Sequence, residues 1–172
     1  MIFSHNMKFN NIIAKIPLIK KEESSFSYFL KLGENITYYD WLEQLQLIID
    51  KENSKYYVAS LFTRICMSCR SGFIIKELKE LYNLNNNLAY FLIIVSRDFN
   101  EKDIKNLKEN LGIEFSVIRA DKKLAKRWNQ LRDRYDLNYL VFVINENGDI
   151  INIMDTRSPH DVFIYLRRIL TS

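Results

Sequence analysis

Apolar residues run almost unbroken from Tyr57 to Phe62 (YVASLF) and again from Leu88 to Val95 (LAYFLIIV). Runs of this length, rich in branched and aromatic side chains, predict strands covered on both faces. The pattern then changes to helical spacing. Phe73, Ile74, Ile75, Leu78, Leu81 and Tyr82 line one face of a helix that stops at Asn83 to Asn87, residues that favour turns. Asn100 suits the start of a helix with Ile104, Leu107 and Leu111 inward, and Gly112 suits its end. Ile113 to Ile118 predicts a strand. Lys122 to Tyr135 predicts a helix that buries Leu124, Ala125, Trp128 and Leu131. Tyr139 to Ile144 and Asp149 to Met154 read as strands joined through Asn145-Glu146-Asn147-Gly148, a hairpin turn signal. A last helix opens at Ser158-Pro159-His160-Asp161, with a capping serine, proline at the first helical position and an acidic first turn. Its buried stripe is Val162, Phe163, Leu166, Ile169 and Leu170.

The order from Tyr57 is therefore β-α-β-α-β-α-β-β-α. Alternation followed by a hairpin and a helix implies a mixed central sheet with helices on both faces. Upstream, residues 1–25 have little pattern and end in the charged Lys20 to Glu23, as an extension or linker would. Phe26 to Leu32 is expected to be a strand, Gly33-Glu34-Asn35 a turn and Ile36 to Tyr38 a short second strand. Tyr39 to Ile49 has helical spacing, with Trp41, Leu42, Leu45, Ile48 and Ile49 apolar and Asp40 near the start.

Composition changes this picture little. The chain has 172 residues, 48% hydrophobic and 27% charged, which is ordinary for a globular domain with a real core. The charge of +4 is spread along the chain and gives no support for a nucleic-acid partner. Lys122, Lys123, Lys126, Arg127, Arg132 and Arg134 gather on one helix, where a solvated face accounts for them. No window approaches the ~18 apolar residues of a membrane span. The first residues lack a basic region, apolar run and small-residue cleavage site, so the chain is expected to be cytoplasmic unless a leader precedes it.

Candidate chemistry sits at the end of the first strand. Cys66 and Cys69, the only two cysteines, are spaced CxxC at the start of the following helix. Free N–H groups and the positive helix end stabilise a thiolate there, and the thiolate is the form that attacks a disulfide. Two intervening residues let one sulfur reach the other. Arg64 and Arg70 flank the pair as candidate thiolate stabilisers; ordinary exposed charge explains each equally well. For the cysteines the plain alternative is two small buried hydrophobes.

A strand feeding a CxxC, in this element order, resembles the thioredoxin fold, and more closely the redoxin group of TlpA- and ResA-like thiol–disulfide oxidoreductases and peroxiredoxins. FLKLGENITYYDWLEQL is similar to the group's strand–turn–strand–helix prelude, Asn100 to Ile118 to its central insertion, and VFVINENGDIINI to its hairpin. The resemblance spans Phe26 to Leu170 and implies a thioredoxin-like domain over 26–172, a three-layer α/β/α architecture with a redoxin-type N-terminal extension. It also implies that Cys66 attacks, that Cys69 resolves, and that Tyr139, Met67 and Ser68 face a protein thiol or disulfide partner. The sequence departs from the group where Tyr139 replaces a cis-proline and Ile65 replaces a tryptophan. A cis bond at a non-proline costs ~3 kcal/mol, so a trans bond is expected before Tyr139. By analogy with the group, a leader would place the protein in the cell envelope.

Other readings stay open. Thr63-Arg64-Ile65-Cys66 matches half of the peroxiredoxin PxxxTxxC motif, but Ala59 stands where the proline belongs and only Arg119 is a loose candidate for the arginine. The missing proline is compatible with a thioredoxin-like interaction module without catalysis. For zinc, CxxC supplies two of ~4 ligands; His5 and His160 are the only histidines, so no metal is expected unless a dimer bridges one. No cofactor is expected, because haem, nucleotide and hydrolase motifs are absent.

Overall fold

The computed structural model describes residues 30–66, 68–84, 87–156 and 161–171. Its centre is strand β1 (Tyr56–Phe62), every residue of which after Tyr56 is buried. β1 pairs in parallel with β2 (Ala89–Val95) and antiparallel with β4 (Tyr139–Asn145), in both cases over seven residues. β2 pairs in parallel with the short β3 (Ser116–Arg119), and β4 antiparallel with β5 (Ile150–Asp155). The sheet order is β3-β2-β1-β4-β5. The continuous apolar runs thus occupy the middle of the sheet, where helices cover both faces.

Alternation along the strands divides the core into two layers. Val58, Phe91, Ile93, Val141 and Val143 meet α2 (Arg70–Leu84), α3 (Glu101–Leu111) and α5 (Asp161–Leu170) in one cluster with Ile74, Leu78, Ile104, Val162 and Leu166. α2 alone buries Ile74, Ile75, Leu78 and Leu81, each worth roughly 1.5–3 kcal/mol of apolar burial. Leu61, Leu92, Ile94, Phe142 and Ile144 have the opposite parity and are also buried. The helices outside the first cluster, α1 (Glu43–Lys51) and α4 (Lys122–Tyr135), contribute the buried Leu45, Leu124, Trp128 and Leu131.

The caps follow the sequence. Asn100 and Asp103 form a reciprocal capping box on α3, and Gly112 closes that helix in the left-handed region at φ 57°. Asp121 caps α4 through the Leu124 N–H at 2.7 Å. The hairpin turns at Gly148, φ 84°, where Asn145 Oδ1 accepts from the N–H groups of Asn147 and Asp149.

One predicted strand is not a strand. Ile36–Tyr38 is a 3-10 turn, because Asn35 caps it by accepting from the Thr37 N–H. What joins the sheet instead is the stretch before it: Gly33 N–H donates to the Ile150 carbonyl, Ile150 N–H to Glu34, and Ile36 N–H to Gly148. Asp40–Leu42 is likewise a 3-10 turn, and α1 begins only at Glu43. The third strand starts at Ser116 rather than Ile113. Of the expected Phe26 to Leu32 strand, the described Leu30 to Leu32 form no strand, while its earlier part, the expected extension over 1–25 and the Ser158-Pro159-His160 cap lie outside the described residues.

Candidate functional site

The site is built where β1 ends and α2 begins. Phe62 closes the strand opposite Tyr139, and the chain then crosses from Thr63 to Ser68 before α2 starts at Arg70. Thr63 ties this loop down, donating from its N–H (3.1 Å) and its hydroxyl (2.8 Å) to the Asn138 carbonyl. Asn138 in turn donates its N–H to Thr156 Oγ1 at 3.0 Å. Three separate connections are thereby fixed around the cysteines.

Cys66 and Cys69 are both exposed free thiols. The Cys66 carbonyl is a focus of the turn, accepting from the N–H groups of Cys69 (3.3 Å) and Gly72 (3.1 Å). Cys69 Sγ also donates to it at 3.0 Å. Beneath the pair lies Ser71, buried at 6% exposure. Its hydroxyl accepts from the Cys66 N–H at 3.1 Å and lies 3.1 Å from Cys69 Sγ. Cys66 Sγ has a looser neighbour, the Ser68 hydroxyl at 3.5 Å.

These contacts depress one thiol. Cys69 is brought down to about 7, chiefly by the Ser71 hydroxyl, then by hydrogen bonding from Cys66, with smaller help from the backbone N–H groups of Ser71 and Gly72. Cys69, the expected resolving thiol, is thus exposed with its thiolate stabilised. The reason is local: the short helical turn brings Ser71, two residues on, directly to its sulfur. Ser71 is also the residue that sequence reasoning missed. Its signal was a hydroxyl in the helix's first turn immediately after the CxxC.

The two arginines occupy different settings. Arg70 donates to the Thr156 carbonyl at 3.1 Å and places its guanidinium 5.8 Å from the centre of the Tyr139 ring. Arg64 is exposed on the loop, and neither arginine is among the causes of the lowered Cys69 thiol. Tyr139 is only 1% exposed. It was expected to face a partner, but as the first residue of an interior strand it points into the α2–α5 layer; in the loop before it, Asp136 and Asn138 are exposed. Burial raises the Tyr139 phenol, with Arg70 opposing the effect. Peptide bonds among the described residues are trans, the one before Tyr139 included. Ser68 is exposed beside Cys66; Met67 lies outside the described residues. Ile65, in place of the group's tryptophan, packs partly against the core.

Thr63 and Arg119, the pair a peroxidase reading would need, are engaged with the carbonyls of Asn138 and Phe99. Among the described residues, no group of three or more His, Cys, Asp and Glu side chains is placed to hold a metal ion. None of the described helices is long and apolar enough to cross a membrane.

The sequence matches no protein-family model and no curated protein. Solved structures do resemble it. A thiol:disulfide interchange protein of the thioredoxin family from Chlorobium tepidum aligns at TM-score 0.50 and 22% identity, over 69% of this chain and 81% of that one. One from a Bacteroides species gives 0.51 and 15%, over 70% and 76%. A DsbF homologue from Corynebacterium diphtheriae gives 0.52 and 15%, over 71% and 75%. The fold is thioredoxin-like, in the form seen in thiol:disulfide interchange proteins.

Proposed function

We propose that the chain is a thiol–disulfide oxidoreductase in which Cys66 and Cys69 cycle between dithiol and disulfide on a protein partner, within a domain spanning 26–172. The observation that carries this reading is the exposed pair at the β1–α2 junction with one thiol lowered to about 7. Such a thiol is about half ionised at neutral pH, where an ordinary cysteine is nearly all protonated. The resemblance to interchange proteins at the level of fold supports the same chemistry.

In the proposed cycle Cys66 gives up its proton to solvent. The Cys66 thiolate attacks one sulfur of a partner disulfide. That S–S bond breaks, a Cys66–partner bond forms, and the departing thiolate is protonated. Cys69, as its thiolate, then attacks Cys66 Sγ and expels the second partner thiolate. Two electrons pass to the partner and the Cys66–Cys69 disulfide remains; the reverse sequence oxidises a partner. Entry at Cys66 rests on its place in the loop ahead of the helix, with only Ser68 loosely beside its sulfur. Cys69, held by Ser71 and the Cys66 carbonyl, is suited to the second step.

The test is trapping of mixed disulfides. Cys69→Ser is expected to accumulate partner adducts on Cys66, and Cys66→Ser to accumulate none. The opposite pattern would reverse the two roles. Absence of any Cys66–Cys69 disulfide after equilibration with glutathione buffers would leave only a non-catalytic interaction module.

A further inference from the structure

Beside the CxxC loop lies a cleft of about 570 Å³ that the exchange chemistry above does not use. Its walls come from the connections leaving the carboxyl ends of β1, β2 and β3, and from one side of α4. The carboxyl ends of parallel strands are where open α/β sheets take ligands, and this volume suits a small molecule or a peptide of a few residues.

The lining has both signs of charge. Arg64 follows β1 and Arg97 follows β2; both are exposed, and neither is in an ion pair with a described residue. Asp98 and Asp136 supply carboxylates on the same cleft, while Arg132 and Asp133 satisfy each other at 2.8 Å. Trp128, 3% exposed, forms part of the wall, and its Nε1–H has no hydrogen-bond partner among the described residues. A cleft that brings together two guanidinium groups without an ion pair among the described residues and two carboxylates, Asp98 accepting only a long bond from the Ser96 hydroxyl at 3.4 Å, complements a ligand carrying both a carboxylate and an ammonium. A short peptide with free termini has that chemistry.

Arg64 is two residues before Cys66. Since successive Cα atoms are ~3.8 Å apart, the Cys66 Cα lies within ~7.6 Å of the Arg64 Cα, less than the length of an extended tripeptide. We propose that this cleft docks one half of a short peptide disulfide with free charged termini, presenting its S–S bond to Cys66. The proposal rests on the oxidoreductase reading and extends it to a low-molecular-weight substrate class. The dithiol reduces the peptide disulfide to two peptide thiols and becomes the Cys66–Cys69 disulfide, so atoms and electrons balance as in the cycle above.

Gly-Cys-Gly and its N-acetyl, C-amide and doubly blocked forms separate the elements of recognition. Their S-methyl derivatives, titrated against the Cys66→Ser/Cys69→Ser protein by NMR, read binding without any redox step. The free-termini peptide is expected to bind, and each blocking group to weaken it by roughly threefold or more. Arg64→Gln/Arg97→Gln should erase the effect of the carboxylate, and Asp98→Asn/Asp136→Asn that of the ammonium. Equal binding of all four peptides, or none by any, overturns the proposal whatever the redox assays show. The disulfide dimers of the four peptides, reduced by the wild-type protein, give the second readout. The same ranking in rate, absent with a small-molecule dithiol, supports docking, and parallel rates overturn it. A protein inert towards every disulfide but still selective in the NMR titration would refute the oxidoreductase reading and leave the peptide site standing.

Discussion

The Ser71 hydroxyl is the side-chain group that touches both cysteines. It accepts from the Cys66 N–H and lies within hydrogen-bond distance of Cys69 Sγ, both at 3.1 Å, from a buried position that keeps water from replacing it. A hydroxyl donated to a thiolate stabilises the anion more than the thiol. Ser71→Ala is therefore expected to raise the Cys69 thiol from about 7 towards an ordinary cysteine. Iodoacetamide labelling of Cys69 at pH 7, read by peptide mass spectrometry, should slow by up to roughly tenfold for each pH unit regained. An unchanged labelling profile would assign the lowering to the backbone N–H groups alone. At this scale the sequence displayed the two sulfurs and their spacing. It concealed the hydroxyl, since a serine in a helix's first turn is unremarkable until the turn's geometry sets it under a particular atom. The flanking arginines mislead for the complementary reason. Charge is visible in a sequence, but Arg70's preference for the Tyr139 ring and the Thr156 carbonyl is not.

Among the elements, the β4–β5 hairpin is held from outside by Asn35. Its Nδ2 donates to the Asn147 carbonyl at 2.7 Å and to Asp149 Oδ1 at 3.0 Å, while its Oδ1 accepts from the Thr37 N–H and hydroxyl. A Cβ on Gly148 would come within 3.0 Å of that same amide. Asn35→Ala should thus destabilise the fold by roughly 1–3 kcal/mol, seen as a lower urea midpoint with an unchanged slope. Loss of the α3 cap in Asn100→Ala should cost about 1 kcal/mol by the same measurement. A near-zero effect of Asn35→Ala would show that the backbone bonds from Gly33 and Ile36 suffice. The α3 cap was legible because capping is a contact between residues three apart. The Asn35 clip joins residues more than a hundred positions apart. Its side chain converts Ile36–Tyr38, β-branched and aromatic by composition, into a 3-10 turn.

Across the whole molecule, the element order and the two-layer core were readable because β1, β2 and β4 are interior strands whose apolar runs admit no exposed face. Ile93, fully buried and paired to Ser60 and Val117, sits at the middle of that arrangement. Ile93→Ala should cost roughly 2–5 kcal/mol, several times the effect of a surface cap. The sheet also places Cys66 and Cys69 at its carboxyl edge, so for the proposed redox pair oxidation state and global stability are linked. The Cys69 thiol is lowered in the folded, reduced protein from an ordinary value of 9.0 to about 7. A depressed folded value stabilises the reduced fold fully above the unfolded value, and that contribution fades as pH falls through about 7. The disulfide form has no such thiol. The melting temperature of the reduced protein, relative to the oxidised one, is therefore expected to rise between pH 7 and pH 9 and to level off below pH 6. By the thermodynamic cycle, folding then shifts the couple towards the dithiol more strongly at alkaline pH than at acid pH. Calorimetry on both forms, with Ser71→Ala as control, checks this. Parallel pH curves for reduced and oxidised protein would mean that the fold does not favour the thiolate, and would remove the basis for a reactive Cys69 at neutral pH.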